Sequence, residues 1–178
     1  VHHQLDVPAQ QSPIATLVPP HKALRTVFRE ADDQVRQCVQ AHLKVAVQLL
    51  DLGHLQGQAQ QQRIESTCAE EPAAPFDLVN GPLMRVRLLR IGGQEHLLLI
   101  TLHHIIADGW SLGILIDELV KLYDAASAGT APALAALDIQ YRDFALWQRS
   151  WLEAGEQERQ LGYWLAHLGD EHPVLQLP

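Results

Sequence analysis

The stretch Met84–Ser111, MRVRLLRIGGQEHLLLITLHHIIADGWS, decides the architecture. Met84, Val86 and Leu88 alternate with Arg85, Arg87 and Leu89, the period of two expected of a half-buried strand. Gly92-Gly93 is a tight-turn signal between two apolar runs. HLLLITLHH, from His96 to His104, is apolar almost throughout, which predicts a strand covered on both faces. Together the two strands predict an antiparallel hairpin. At its far end two imidazoles, His103 and His104, fall where strand gives way to turn, with Asp108 and Gly109 just beyond. Ser111 is the expected N-cap of a helix. Leu112, Leu115, Ile116, Leu119, Leu122 and Tyr123 follow at helical spacing and predict one apolar face.

Upstream, residues 1–20 hold four prolines and no sustained period, so they are expected to be irregular or loosely attached. HKALRTVF, from His21, reads as a helix end running into a strand. Val35 to Leu52 contains two β-prone pieces, with Leu43, Val45 and Val47 alternating against polar or small neighbours. Residues 55–71 are rich in Gln and Glu and predict a mostly solvated helix. Downstream, Gly129 to Pro132 breaks the helical pattern, and Asp138 is an expected cap for IQYRDFALWQRSWLEA, in which Phe144, Trp147 and Trp151 share a side. Residues 156–168 predict a further amphipathic helix, and HPVLQLP resembles a linker. Strands and helices together indicate an α+β class.

The bulk properties narrow the function. The chain has 178 residues, 47% hydrophobic and 19% charged, which suits one domain or one lobe of a larger one. A net charge of -8 and pI of about 5.6 argue against a nucleic-acid partner. The longest apolar candidate, Leu97 to Leu102, is strand-sized, so no membrane partner is expected; neither is a signal peptide, and the cytoplasm is the simplest compartment. Cys38 and Cys68 lack metal-ligand spacing and a helix-start or basic context that would activate a thiolate.

The chemistry of the histidine pair has competing readings. Successive strand residues face opposite sides, so one histidine works while the other supports it, if the strand runs through both. Asp108 lies beyond a turn that Gly109 makes possible, placed either to orient an imidazole or to pair with an arginine. The backbone N–H groups at Gly109 and Trp110 open a helix, a favourable place for charge developing on an oxygen. A purely structural turn is the plain alternative. A zinc site would need three or four ligands, and His103, His104 and Asp108 have no convincing further partner. His2 and His3 lie near a terminus and are expected to bind nothing. A serine nucleophile is disfavoured, since Ser111 is better explained as a cap.

HHIIADGWS is similar to the His-His-x-x-x-Asp-Gly pattern of the condensation domains of nonribosomal peptide synthetases. Chloramphenicol acetyltransferase-like acyltransferases share that pattern more loosely. HKALRTVF, FDLVNGPLMRVRLLR from Phe76, YRDFALWQ from Tyr141 and YWLAHLGDEHPVLQLP from Tyr163 resemble further segments of the family in the same order. The likeness covers residues 21–178. It implies a chloramphenicol acetyltransferase-like lobe, a mainly antiparallel central sheet flanked by helices. Residues 1–20 would be a divergent segment and residues 21–178 an N-terminal lobe whose C-terminal counterpart is absent.

The resemblance also implies a reaction. Such domains join two substrates held as thioesters on donor and acceptor carrier proteins, forming a peptide bond. By this likeness His104 is the catalytic residue, as general base or by positioning the amine. His103 supports it, Asp108 is structural with Arg25 as its expected partner, and Gly109 lets the backbone pass close to the thioester. No intrinsic cofactor or metal is implied; the phosphopantetheine arms belong to the carriers. Departures from the pattern are Pro20 where an arginine is expected, Lys22 where a glutamate is expected, and no visible first motif. Half a tunnel implies a poor catalyst when alone. A non-catalytic module that docks carrier or tailoring proteins is the alternative, and a coenzyme A-type acyltransferase a third reading.

Overall fold

A computed structural model of the chain describes residues 13–169. They fall into two units that divide between Asp138 and Ile139. The expectations for His2 and His3 and for HPVLQLP lie outside the described residues.

In the first unit, β1 (Thr26–Ala31) and β2 (Gln34–Val39) form an antiparallel pair. β3 (Val47–Asp51), β4 (Met84–Arg90) and β5 (His96–Leu102) form a second sheet in the order β3-β4-β5. The helices are α1 (Gly57–Ala73) and α2 (Gly109–Ser127). The β4–β5 hairpin is antiparallel, with Met84 opposite Leu102 and Arg90 opposite His96. Its connection is longer than a two-residue turn: Ile91 and Gly92 both donate to the Glu95 carbonyl, at 2.9 and 3.2 Å.

The central sheet is mixed, because β3 runs parallel to β4. The cause is α1. Two parallel neighbours need a crossover of a dozen residues or more, and a helix between two strands supplies it. β5 is less covered than its apolar run suggests, with Leu98 40% exposed. It lies at the end of the sheet order, so among the described residues one of its edges has no partner strand. The β1–β2 turn places Asp32 and Asp33 at φ 54° and 55°, the double positive φ of a type I′ hairpin. Aspartate tolerates that region better than most residues.

The core corrects the expectation for residues 13–20. Residues 13–17 are helical despite Pro13, and Ile14, Leu17 and Val18 are buried. They pack with Leu24, Met84, Val86, Leu115 and Leu122. The prolines at 13, 19 and 20 flank the turn, where they do not interrupt its hydrogen bonds.

The second unit holds α3 (Tyr141–Trp151), a π-helical turn (Leu152–Glu156) and α4 (Gln157–Leu168). Gln140, not Asp138, caps α3; its N–H donates to Asp143 Oδ2 at 3.0 Å. Gly155 at φ 105° makes the kink before α4. Tyr141, Phe144, Trp147 and Trp151 form a ladder of rings with successive centroids 6.0, 5.7 and 5.7 Å apart, the side predicted from spacing.

Candidate functional site

The hairpin delivers the two histidines. β5 ends at Leu102, but the His103 N–H still donates to the Leu83 carbonyl at 3.0 Å, so the backbone is held for one residue more. The Ile106 N–H then closes a turn on the His103 carbonyl at 3.0 Å. The alternation expected of the pair supposed a strand running through both, and the strand ends before them, with His104 already in the turn. His103 is half-buried and its Nδ1 accepts the Ile105 N–H at 3.0 Å. An accepting Nδ1 places the hydrogen of the neutral ring on Nε2. His104 is exposed and has no hydrogen-bond partner among the described residues.

Asp108 has a different task from the one expected. It is the N-cap of α2, and Ser111 is the third residue of the helix rather than its cap. Asp108 Oδ1 accepts the Ser111 N–H at 2.8 Å, and Ser111 Oγ accepts the Asp108 N–H at 2.8 Å, a reciprocal capping box. The Ser111 N–H, with the Ser111 side chain adding to it, holds the Asp108 carboxyl below the usual carboxylate range. The carboxylate therefore occupies the positive end of α2, where an oxyanion had been expected. The structure does not bring Asp108 and Arg25 together. Arg25 ties the chain upstream, donating to the carbonyls of Pro19 (3.0 Å), Ala41 (3.3 Å) and Gln40.

Gly109 is the first residue of α2 and does not adopt a positive φ. Beyond its chain neighbours and the helix's own backbone, nothing lies within 4 Å of where its Cβ would be, so the glycine leaves open space over the helix start rather than making the turn possible.

The turn is braced from two sides. On one, His21 Nε2 lies 2.5 Å from Glu118 Oε2, fastening the Lys22–Arg25 3-10 turn to α2. Beside it an apolar cleft of about 170 Å³ is lined by Leu102, Ile106, Ala107, Ser111 and Leu112. On the other side Phe76 meets the His103 ring edge to face, with centroids 5.7 Å apart and planes at 82°. The Arg85 guanidinium lies over the Phe76 ring at 3.8 Å. Asp77 shapes this segment by accepting the N–H groups of Val79 and Asn80 at 2.9 and 3.1 Å. Gly81, at φ 67°, is needed there, since a Cβ would sit 3.1 Å from Val27 Cγ1.

Spacing alone did not reveal Phe76, Arg85, His21 or Glu118 as parts of this surround. The available signal was three arginines, Arg85, Arg87 and Arg90, on a strand whose other residues are apolar, charges that must find partners. Among the described residues no three His, Cys, Asp or Glu side chains cluster as metal ligands. No described helix is long and apolar enough to cross a membrane.

The sequence profile of the condensation domain matches residues 1–178, and the chain belongs to that family. It is 41% identical over 175 residues to one of the proteins that make up the linear gramicidin synthase of Brevibacillus parabrevis, covering 98% of this chain and 2% of that protein. It is 39% identical over 170 residues to phosphinothricin tripeptide synthetase PhsC of Streptomyces viridochromogenes, covering 96% of this chain and 16% of that protein. Among solved structures, the X-domain from teicoplanin biosynthesis superposes with a TM-score of 0.85 at 27% identity, over 99% of this chain and 39% of that one. The epimerization domain of the third module of tyrocidine synthetase B shares the fold at a TM-score of 0.85 and 21% identity, over 98% of this chain and 40% of that one. The chain thus spans a small part of the synthetases and about two fifths of the solved domains it matches.

Proposed function

We propose that this chain acts as the N-terminal lobe of a condensation domain and that His104 is its catalytic residue. The acceptor amine attacks the carbonyl of the donor thioester. His104 removes a proton from that amine as the C–N bond forms, and the tetrahedral intermediate collapses with loss of the donor carrier's phosphopantetheine thiolate, which takes up a proton. The observation that carries this reading is the free imidazole of His104, exposed on a turn whose two flanks, His103 and the α2 cap, are both hydrogen-bonded in place. The open space over Gly109 gives a thioester room to approach. Asp108 contributes by fixing α2 beneath the turn and needs no arginine partner to do so. Donor and acceptor carrier proteins and a C-terminal lobe are the partners, and the cytoplasm is the compartment.

The test combines this chain with the remainder of its condensation domain and two loaded carrier proteins, following acceptor-bound product by mass spectrometry. His104→Ala lowers product formation about 10²–10⁴-fold, the usual worth of general base catalysis. A variant as active as wild type overturns the assignment.

One observation favours a second reading. The X-domain that superposes here has also been solved as a complex with OxyB, at 27% identity and a TM-score of 0.80 to this chain. A docking module would bind its partner equally well with His104 replaced and would form no product in either case.

A further inference from the structure

Resting on His104 as the reacting base, we propose that Arg85 and Phe76 are positioning residues, which set the His103 ring and through it the turn that carries His104. The chain of contacts begins at Glu71, whose side chain is 4% exposed in the last turn of α1. Arg85 Nε donates to Glu71 Oε1 at 2.8 Å. Its terminal nitrogens donate to the carbonyls of Glu71 (2.7 Å), Ala74 (3.0 Å) and Pro75 (3.1 Å). A guanidinium fork is matched to such a set, and it satisfies carbonyls that the end of α1 leaves open. Arg87 Nε adds a second positive charge 2.7 Å from Glu71 Oε2.

With its edge committed in this way, the guanidinium has only its face left, and that face lies on Phe76. The guanidinium, held by those carbonyls, gives one face of the Phe76 ring a fixed surface to rest on. The same ring meets the His103 ring edge to face. His103 in turn accepts the Ile105 N–H, the residue directly after His104. A rotated His103 ring loses that bond, and the 104–106 turn loses the group that fixes its middle. Arg85 stands opposite Thr101 in the β4–β5 register, so one ladder fixes both the support and the turn it supports.

The test uses two readouts on Phe76→Leu, which keeps an apolar side chain and leaves every Arg85 hydrogen bond in place. In ¹⁵N-histidine spectra of the 178-residue chain, with His103 assigned by its loss in His103→Asn, the His103 signals move and the Nε2–H tautomer gives way to a mixture. In the reconstituted condensation assay kcat falls about ten- to hundredfold, as expected for a misplaced base, while KM for the acceptor carrier stays within about twofold. Phe76→Tyr recovers most of both changes, since it keeps the ring. Arg85→Lys, which keeps charge but not the fork, behaves as Phe76→Leu does. Unchanged His103 signals in Phe76→Leu overturn the proposal even if His104 proves catalytic. If His104→Ala is as active as wild type, the functional reading fails, and the spectra still decide whether Phe76 orients His103.

Discussion

Asp108 shows how a residue can be located by sequence and still be given the wrong work. Its place at the helix start was legible; its partner was not, because an Asp three residues before a Ser fits an N-cap as well as it fits an ion pair. The structure chooses the cap, with Ser111 at the third helical position. A consequence follows for pH. The folded-state pKa of Asp108 is depressed by the bonds from Ser111. Its contribution is therefore complete above the unfolded value of about 3.9 and is lost as pH falls through the lower folded value. Asp108→Ala should lower Tm at pH 7 and lower it less as the pH falls to about 2.5, below the unfolded value. Asp108→Asn, still a good cap acceptor, should retain most of the wild-type Tm at neutral pH. Replacing Arg25 should not reproduce this pH dependence, and thermal melts across pH of the three variants distinguish the cap from an ion pair. His103 and His104 were legible as a pair where strand gives way to turn, yet which ring is bonded could be read only from Ile105 and Phe76, neither of which sequence spacing connects to them.

Among the elements, strong periodicity was read correctly and context was not. β4 follows from alternation, β5 from its apolar run, α2 from helical spacing and α1 from a Gln- and Glu-rich composition without strand formers. The parallel pairing of β3 with β4 is a property of the crossover between them and is invisible within either strand. The helix at residues 13–17 was hidden by proline, although Leu17 is completely buried and belongs to the same core as Leu115 and Leu122 of α2. That packing makes residues 13–18 part of the platform beneath the site. Leu17→Ala removes a fully buried side chain and should cost about 2–5 kcal/mol, with the spread set by how far the core collapses. Urea unfolding at constant m-value measures it. A cost below about 0.5 kcal/mol, the range of ordinary surface substitutions, would mean that this turn is not docked in solution.

At the scale of the whole molecule the apolar surface is the informative feature. A helix that is hydrophobic on more than one side is expected to be buried. α2 covers the sheet with Leu115 and Leu122, yet Ile114, Ile116 and Val120 are 47%, 47% and 52% exposed, and Trp110 is 84% exposed beside Gly109. Single exposed apolar residues need no explanation, but a run along one helix next to a free imidazole does. The chain spans 39% of the X-domain it superposes on, so a condensation domain has ample further residues to cover this side. With His104 exposed and without a hydrogen-bond partner among the described residues, the 178 residues by themselves should form product slowly. Adding the remainder of the domain in trans should raise the rate on the order of a hundredfold or more, because orientation of two bound reactants is a large part of the barrier. Single-turnover assays with loaded carriers, with and without that second piece, measure the difference. Equal rates would show that this lobe orients both substrates unaided, and would move the source of catalysis from a shared channel to the His104 turn alone.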